Sequence, residues 1–160
     1  MPQMTLEKIA MENDITMLDT CTIMQSGFPS VISSCAKKLS GTGRRLGLHC
    51  SVINELAGIR ADPRQSRKDR EAANERLRLI SGIIDNGTIG LIGKCSDAFF
   101  DECALEYALS NRRTKKIAII TQDQKLSDDL LMMNTMGSVE GKPISVFRLT
   151  EEKIITYIYM

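Results

Sequence analysis

The sequence predicts an α/β protein built on a mainly parallel sheet, and three observations carry that prediction. Short β-rich apolar runs alternate with stretches of helical periodicity along the chain. The run from Lys116 to Thr121 sets Ile117, Ile119 and Ile120 close together, as expected of a parallel strand covered on both faces. The first run, Ile15 to Leu18, ends on Asp19 and is followed by Thr20, Cys21 and Thr22. That is a strand delivering a carboxylate to its C-terminal tip, where open α/β sheets place their ligands.

Taken in order, residues 1–13 read as a short helix (Leu6, Ile9, Ala10) or an N-terminal arm. The first strand spans about Ile15 to Asp19. Residues 23–39 are helical in part: Val31, Ile32, Cys35, Ala36 and Leu39 share a face, and Gly27-Phe28-Pro29 interrupts or starts the segment. Leu46 to Cys50 is a strand, and Ser51 caps a helix from Val52 to Ile59. Ala61-Asp62-Pro63 breaks it. A longer helix follows, about Arg64 to Asp85, with Ala73, Leu77, Ile80 and Ile84 as its buried stripe and Asn86-Gly87 as its end. Ile89 to Ile92 is a strand. Ser96 caps a helix from about Asp97 to Ser110, and Asp123 lies just past the Lys116–Thr121 strand. Leu126 to Met133 is a short helix, and Ile144 to Leu149 a last strand. The tail, 150–160, has a helix-like start and a β-rich Ile154 to Tyr159. The alternation β-α-β-α-α-β-α-β-α-β argues for a sheet sandwiched by helices in one domain over residues 1–160.

Composition narrows the function. A net charge of +1 argues against binding polyanions through bulk charge, so nucleic acid would have to be met by local basic patches. Five cysteines without C-x-x-C spacing disfavour a disulfide framework or a zinc site and read as reduced thiols of a cytoplasmic protein. Aromatic residues make up 4% and Trp is absent, which argues against a base-stacking platform for single strands. No apolar stretch approaches the ~20 residues that span a bilayer, so no membrane partner is expected. His49, the single histidine, sits inside an apolar strand and reads as packed rather than as a general base.

Four carboxylates fall at strand tips or the first turns of helices: Asp19, Glu55, Asp97 and Asp123. In a parallel sheet every βα junction emerges on the same edge, so the four can meet although they are far apart in sequence. Two carboxylates ~4 Å apart repel by ~4 kcal/mol at an effective dielectric near 20, and a hard divalent cation removes that penalty. The matching chemistry is metal-assisted phosphodiester hydrolysis with Mg²⁺ or Mn²⁺, one or two ions per site.

The segments Leu18-Asp-Thr-Cys-Thr-Ile23, Ser51-Val-Ile-Asn-Glu-Leu56, Ser96-Asp-Ala-Phe-Phe-Asp-Glu-Cys-Ala104 and Ile119-Ile-Thr-Gln-Asp-Gln-Lys-Leu126 resemble, in order, the four motifs of the PIN-domain ribonuclease family. The resemblance runs from Ile15 to about Met133. It implies a PIN-like three-layer α/β/α sandwich and a metal-dependent endoribonuclease. It also implies metal-site and catalytic roles for Asp19, Glu55, Asp97 and Asp123, with Thr20 and Thr121 positioning the carboxylates. Asp101 departs from the family pattern, which has a small or apolar residue there; four residues after Asp97, it is a fifth candidate ligand or an alternative to Asp97. Asp97 is the choice the pattern favours, because Ala98 and Ala104 then match and a helix N-terminus stabilises its charge. The implied partners are an RNA substrate, a second copy in a homodimer, with the apolar tail Ile154 to Met160 as a candidate contact surface, and, in the setting of a VapC-type toxin, a protein antitoxin that inhibits the site; the region around Glu55 is closer to PIN domains of RNA decay.

The basic residues Arg64, Arg67, Lys68 and Arg70, extended by Arg44 and Arg45, read either as a solvated helix face or as contacts that position RNA phosphates without reading sequence. Two other classes compete with the nuclease. One is a non-catalytic PIN-like module that binds RNA or protein. The other is a phosphorelay receiver domain, which the sequence disfavours because Asp19 lacks an adjacent acid and the last strand ends without a following Lys.

Overall fold

The computed structural model describes residues 3–94, 98–136, 141–150 and 155–158. Its strands form one seven-stranded sheet in the order β1-β7-β6-β5-β2-β3-β4. The parallel part comprises β2 (Ile15–Leu18), β3 (Leu46–His49), β4 (Ile89–Ile92), β5 (Ile117–Ile120) and β6 (Ser145–Leu149). The strands β2, β3 and β5 are buried throughout, as strands covered by helices on both faces must be. The fold is therefore an α/β sheet flanked by helices, as the sequence predicts.

The chain lays β3 and β4 on one side of β2 and then crosses back to place β5 and β6 on the other. The junction between β2 and β5 is thus the topological switch point. The helices that follow these two strands leave in different directions and open a crevice at the strand ends. Leu18 pairs with Ile120, so Asp19 and Thr121 emerge side by side at that crevice.

The helices are α1 (Leu6–Glu12), α2 (Thr20–Ile23), α3 (Phe28–Leu39), α4 (Cys50–Ala61), α5 (Arg67–Asp85), α6 (Phe100–Asn111) and α7 (Gln124–Met133). Thr5 caps α1, Ser66 caps α5 and Asp123 caps α7, each accepting a backbone N–H through its side chain. One apolar core joins Phe28 and Ile32 of α3, Leu56 of α4, Ile80 of α5, Phe100 of α6 and Leu130 of α7 to the sheet.

Several elements differ from expectation. His49, not Ser51, caps α4: its Nδ1 accepts from the Ser51 amide at 3.1 Å and lies 2.8 Å from the Ser51 hydroxyl. Burial lowers the pKa of the ring, and Nδ1 as acceptor places the proton of neutral His49 on Nε2. Gly93, at φ +76°, passes so close that a Cβ there would lie 2.2 Å from His49 Nε2. Cys50 is disulfide-bonded, so the expectation of uniformly reduced thiols does not hold. In the tail, Ile155–Ile158 forms β7, antiparallel to both β6 and β1 (Gln3–Met4). Its backbone is thus engaged on both sides. Residues 151–154 and 159–160 of the tail lie outside the described residues.

The buried stripe of α5 is Ala73, Arg76, Ile80 and Ile83, rotated from the expected one. Arg76 is only 6% exposed. Its Nε donates to the Ile23 carbonyl at 2.8 Å and its Nη2 to the Gln25 carbonyl at 3.2 Å, satisfying the open C-terminal end of α2. Arg76→Met is expected to cost about 2–3 kcal/mol, because it strands those two carbonyls. Urea unfolding with an unchanged slope and a lower midpoint would show it.

Candidate active site

The crevice at the ends of β2 and β5 is built around Asp19. Its carboxylate is 4% exposed. Oδ2 accepts from the Thr121 hydroxyl at 2.6 Å and from the Cys21 thiol at 3.0 Å. The first bond follows from the Leu18–Ile120 register, and the second from the single turn α2, which folds Cys21 back over Asp19. Burial pushes the Asp19 carboxyl up, and the charge of Asp123 adds to that shift. The Cys21 thiol is pushed up to about 12, by burial first and then by the neighbouring Asp19 charge. Cys21 is therefore a protonated donor, not a thiolate. Sequence reasoning missed its role; its place two residues after the strand-tip acid was the available signal.

Glu55 lies on the second turn of α4, half-buried. Its Oε2 accepts from the Thr20 hydroxyl and its Oε1 from the Phe100 amide at 2.9 Å. Thr20 and Thr121 thus each donate a hydroxyl to an acid, Thr20 to Glu55 and Thr121 to Asp19. The Phe100 amide carries no sequence signal, because a backbone N–H is present at nearly every residue. Asp123 accepts from the Leu126 amide at 3.0 Å as the cap of α7, while its own amide donates to Thr121 Oγ1 at 3.0 Å. Thr121 therefore ties Asp19 to the start of α7. Gln122 fixes the same junction to β6, its side chain pairing with the Leu149 amide at 2.9 Å and carbonyl at 2.6 Å.

Asp101 stands in the first turn of α6. Its carboxyl is pushed up by desolvation, then by the charges of Asp19, Asp123 and Glu55, with Lys125 opposing. The charges of acids from the β2–α2, α4 and β5–α7 regions therefore reach Asp101 across this edge. Asp97 and its expected cap Ser96 lie outside the described residues. Among the described residues no three His, Cys, Asp or Glu side chains form a group able to hold a metal ion as they stand.

The basic residues divide between two regions. Arg64 lines a groove of about 640 Å³ together with Thr20, Glu55 and Phe99. Its guanidinium pairs with Asp62 at 3.0 Å. Arg67, paired with Glu71 at 2.9 Å, Lys68 and Arg70 follow on the first turn of α5. Arg44 and Arg45 instead precede β3, at the N-terminal edge of the parallel strands, where Arg44 lies 3.9 Å from Asp14. That is the edge opposite the acids. No helix among the described residues is long and apolar enough to cross a membrane.

Asp19 and Asp101 make the metal-free fold pH-sensitive. A carboxyl whose folded pKa is raised contributes stability below its unfolded value near 3.8, and that contribution is lost as the pH climbs through the raised value. In EDTA the melting temperature is expected to fall as pH rises through that window. The fall should be smaller in Asp19→Asn, and calorimetry across pH 4–7 is the measurement.

No protein-family model matches the sequence, and no curated protein matches it. Among solved structures, that of the PIN domain endonuclease Utp24 matches with a TM-score of 0.58 at 11% sequence identity, over 90% of this chain and 92% of that one. The parallel sheet, its switch point and this likeness together show that the chain has a PIN-like fold.

Proposed function

We propose that the chain is a metal-dependent endoribonuclease working at the Asp19 crevice. The observation that carries this reading is the position of Asp19 and Asp123 beside the paired ends of β2 and β5, at the switch-point edge of a PIN-like sheet, with the Glu55 carboxylate tied to Thr20 and the Phe100 amide next to them and Asp101 within reach of their charges. The donor set suits a hard divalent cation: carboxylate and hydroxyl oxygens surround the crevice, and the one thiol beside them keeps its proton. Asp19, Asp101 and Asp123 would hold Mg²⁺ or Mn²⁺, with Glu55 and Asp97 completing the set. Bound there, the ion would supply Lewis acidity toward a phosphodiester and toward an attacking water. The chain's own residues keep the acids in register. Thr121 and Cys21 hold Asp19, Thr20 and the Phe100 amide hold Glu55, and the Leu126 amide holds Asp123. Water is the nucleophile in this reading, and no covalent enzyme intermediate is formed.

The test is cleavage of defined RNAs with Mn²⁺ and with EDTA, Asp97→Asn and Asp101→Asn beside the wild type. Metal-independent cleavage, or none, sinks the reading. A greater loss with Asp101→Asn would make Asp101, not Asp97, the principal ligand of the two. In the toxin setting, a protein inhibitor would place a basic side chain at the same acidic edge.

A second reading, a PIN-like module that binds RNA or protein without catalysis, is favoured by one observation. Both oxygens of Glu55 are engaged by the protein itself, and no ready metal group stands among the described residues. Calorimetric titration with Mn²⁺ separates the two: no binding that depends on Asp19 favours the module.

A further inference from the structure

Phe99 is 69% exposed, the highest value among the exposed large apolar side chains of the described residues. It caps α6 from an extended backbone, directly before the Phe100 amide that holds Glu55. Its ring borders the 640 Å³ groove on one side. On the other it borders a 270 Å³ hollow lined by Asp101 and Lys125. An aromatic face is thus presented to solvent between two acids of the crevice.

The groove beyond it is open for a physical reason. Ser51, Glu55, Gly58 and Asp62 follow one another along α4 and its end, and all line it. A Cβ at Gly58 would meet no atom within 4 Å, and its φ lies outside the left-handed range. Packing and backbone geometry therefore do not require glycine there, although Gly lowers helix stability by about 1 kcal/mol relative to Ala. The missing side chain instead leaves the groove clear from Thr20 and Glu55 to Arg64 and Gln65. Past Arg64 come the cations of α5, Arg67, Lys68 and Arg70.

We propose that Phe99 is a base-stacking residue for single-stranded RNA. A base next to the scissile phosphate stacks on its ring, and the strand runs along the α4 groove toward Arg64. The proposal rests on the nuclease reading and adds to it one contact, at Phe99, that holds the strand. A carboxylate crevice needs a phosphodiester brought to it. Arg64, paired with Asp62 but with its side chain largely exposed, and the α5 cations that follow it in sequence are the groups that can meet the strand's phosphates, while an exposed ring takes only an unpaired base. The low aromatic content of the chain does not oppose this, since one ring at the crevice suffices.

The experiment uses the full chain carrying Asp19→Asn, so that RNA is bound and not cut. Single-stranded oligoribonucleotides carry 2-aminopurine at each position in turn. The expected result is quenching confined to one or two adjacent positions. Quenching is lost in Phe99→Ala and Phe99→Leu and kept in Phe99→Tyr and Phe99→Trp, all with unchanged melting temperatures. Affinity for the single strand should fall about ten- to hundredfold in Phe99→Ala, with no comparable change for a duplex of the same sequence. Gly58→Leu, which fills the groove, should weaken binding without unfolding the chain. Equal affinity and quenching in Phe99→Ala, or full rescue by Phe99→Leu, overturns the stacking role while leaving the nuclease reading in place. If the parent binds no RNA and the wild type cuts none, the nuclease reading fails, and this proposal with it.

Discussion

Replacing Asp19 by Asn is expected to abolish metal-dependent RNA cleavage and, at the same time, to stabilise the metal-free protein. The two effects share one cause. Asp19 is a buried carboxylate repelled by Asp123 and held by only two side-chain donors, Thr121 and Cys21, so its charge is unfavourable in the folded chain until a cation meets it. Asn keeps the shape and loses the charge. Lewis-acid stabilisation is worth several kcal/mol, and each ~1.4 kcal/mol is a factor of ten, so the cleavage rate should fall about 10²- to 10³-fold. Removing the unpaired charge should add about 1 kcal/mol near neutral pH, or roughly 2–4 °C in melting temperature for a chain of this size. Saturating Mn²⁺, at about a hundred times its Kd, should stabilise the wild type by about 2.7 kcal/mol and the variant by far less. Single-turnover cleavage and calorimetry with and without EDTA read all three. A variant that cuts at the wild-type rate, or loses stability in EDTA, contradicts this account of the crevice.

Phe100→Ala is expected to be among the most destabilising single changes in the chain. The side chain is fully buried at the first position of α6, in the core shared with the sheet. Truncation should cost about 3–5 kcal/mol, a large part of the 5–15 kcal/mol that holds a typical domain together. The melting temperature should drop by roughly 10 °C or more. Phe100→Leu, which keeps much of the volume, should cost less than about 2 kcal/mol. The functional consequence is separate from the loss of folded molecules. The Phe100 amide clamps Glu55, and the same helical turn carries Asp101. Loosening it should therefore lower cleavage per folded molecule, measured well below the melting temperature, in Phe100→Ala more than in Phe100→Leu. Equal activity per folded molecule in the two variants would show that the clamp does not depend on this packing.

The elements most legible in the sequence were those whose signal is local. The β-rich runs of β2, β3, β4, β5 and β6 and the periodicity of α3 and α5 lie within single stretches of chain, and the structure places elements there. That Asp19 and Asp123 lie at one edge follows from one topological rule, that parallel strands send their βα junctions to the same edge. The errors arise where a side chain's partner comes from elsewhere in the chain. The buried stripe of α5 reads as Ala73, Leu77, Ile80 and Ile84 until the Arg76 guanidinium meets the Ile23 and Gln25 carbonyls and turns that face inward. Arg44 and Arg45 look like neighbours of the other cations until the strand direction sends them to the opposite edge.

The sequence by itself determined the class of fold and the candidate acids, because apolar periodicity sets which faces are buried and strand ends set where carboxylates emerge. Only the tertiary structure decided which groups speak to one another. The pairing of β2 with β5 put Thr121 against Asp19, the approach of α6 gave Glu55 a backbone donor, and the same turn brought Asp101 within electrostatic reach of the others. The reason is range: burial patterns are written over a few consecutive residues, whereas a hydrogen bond or a charge interaction across the crevice depends on strand order and register, which no single stretch of the chain contains.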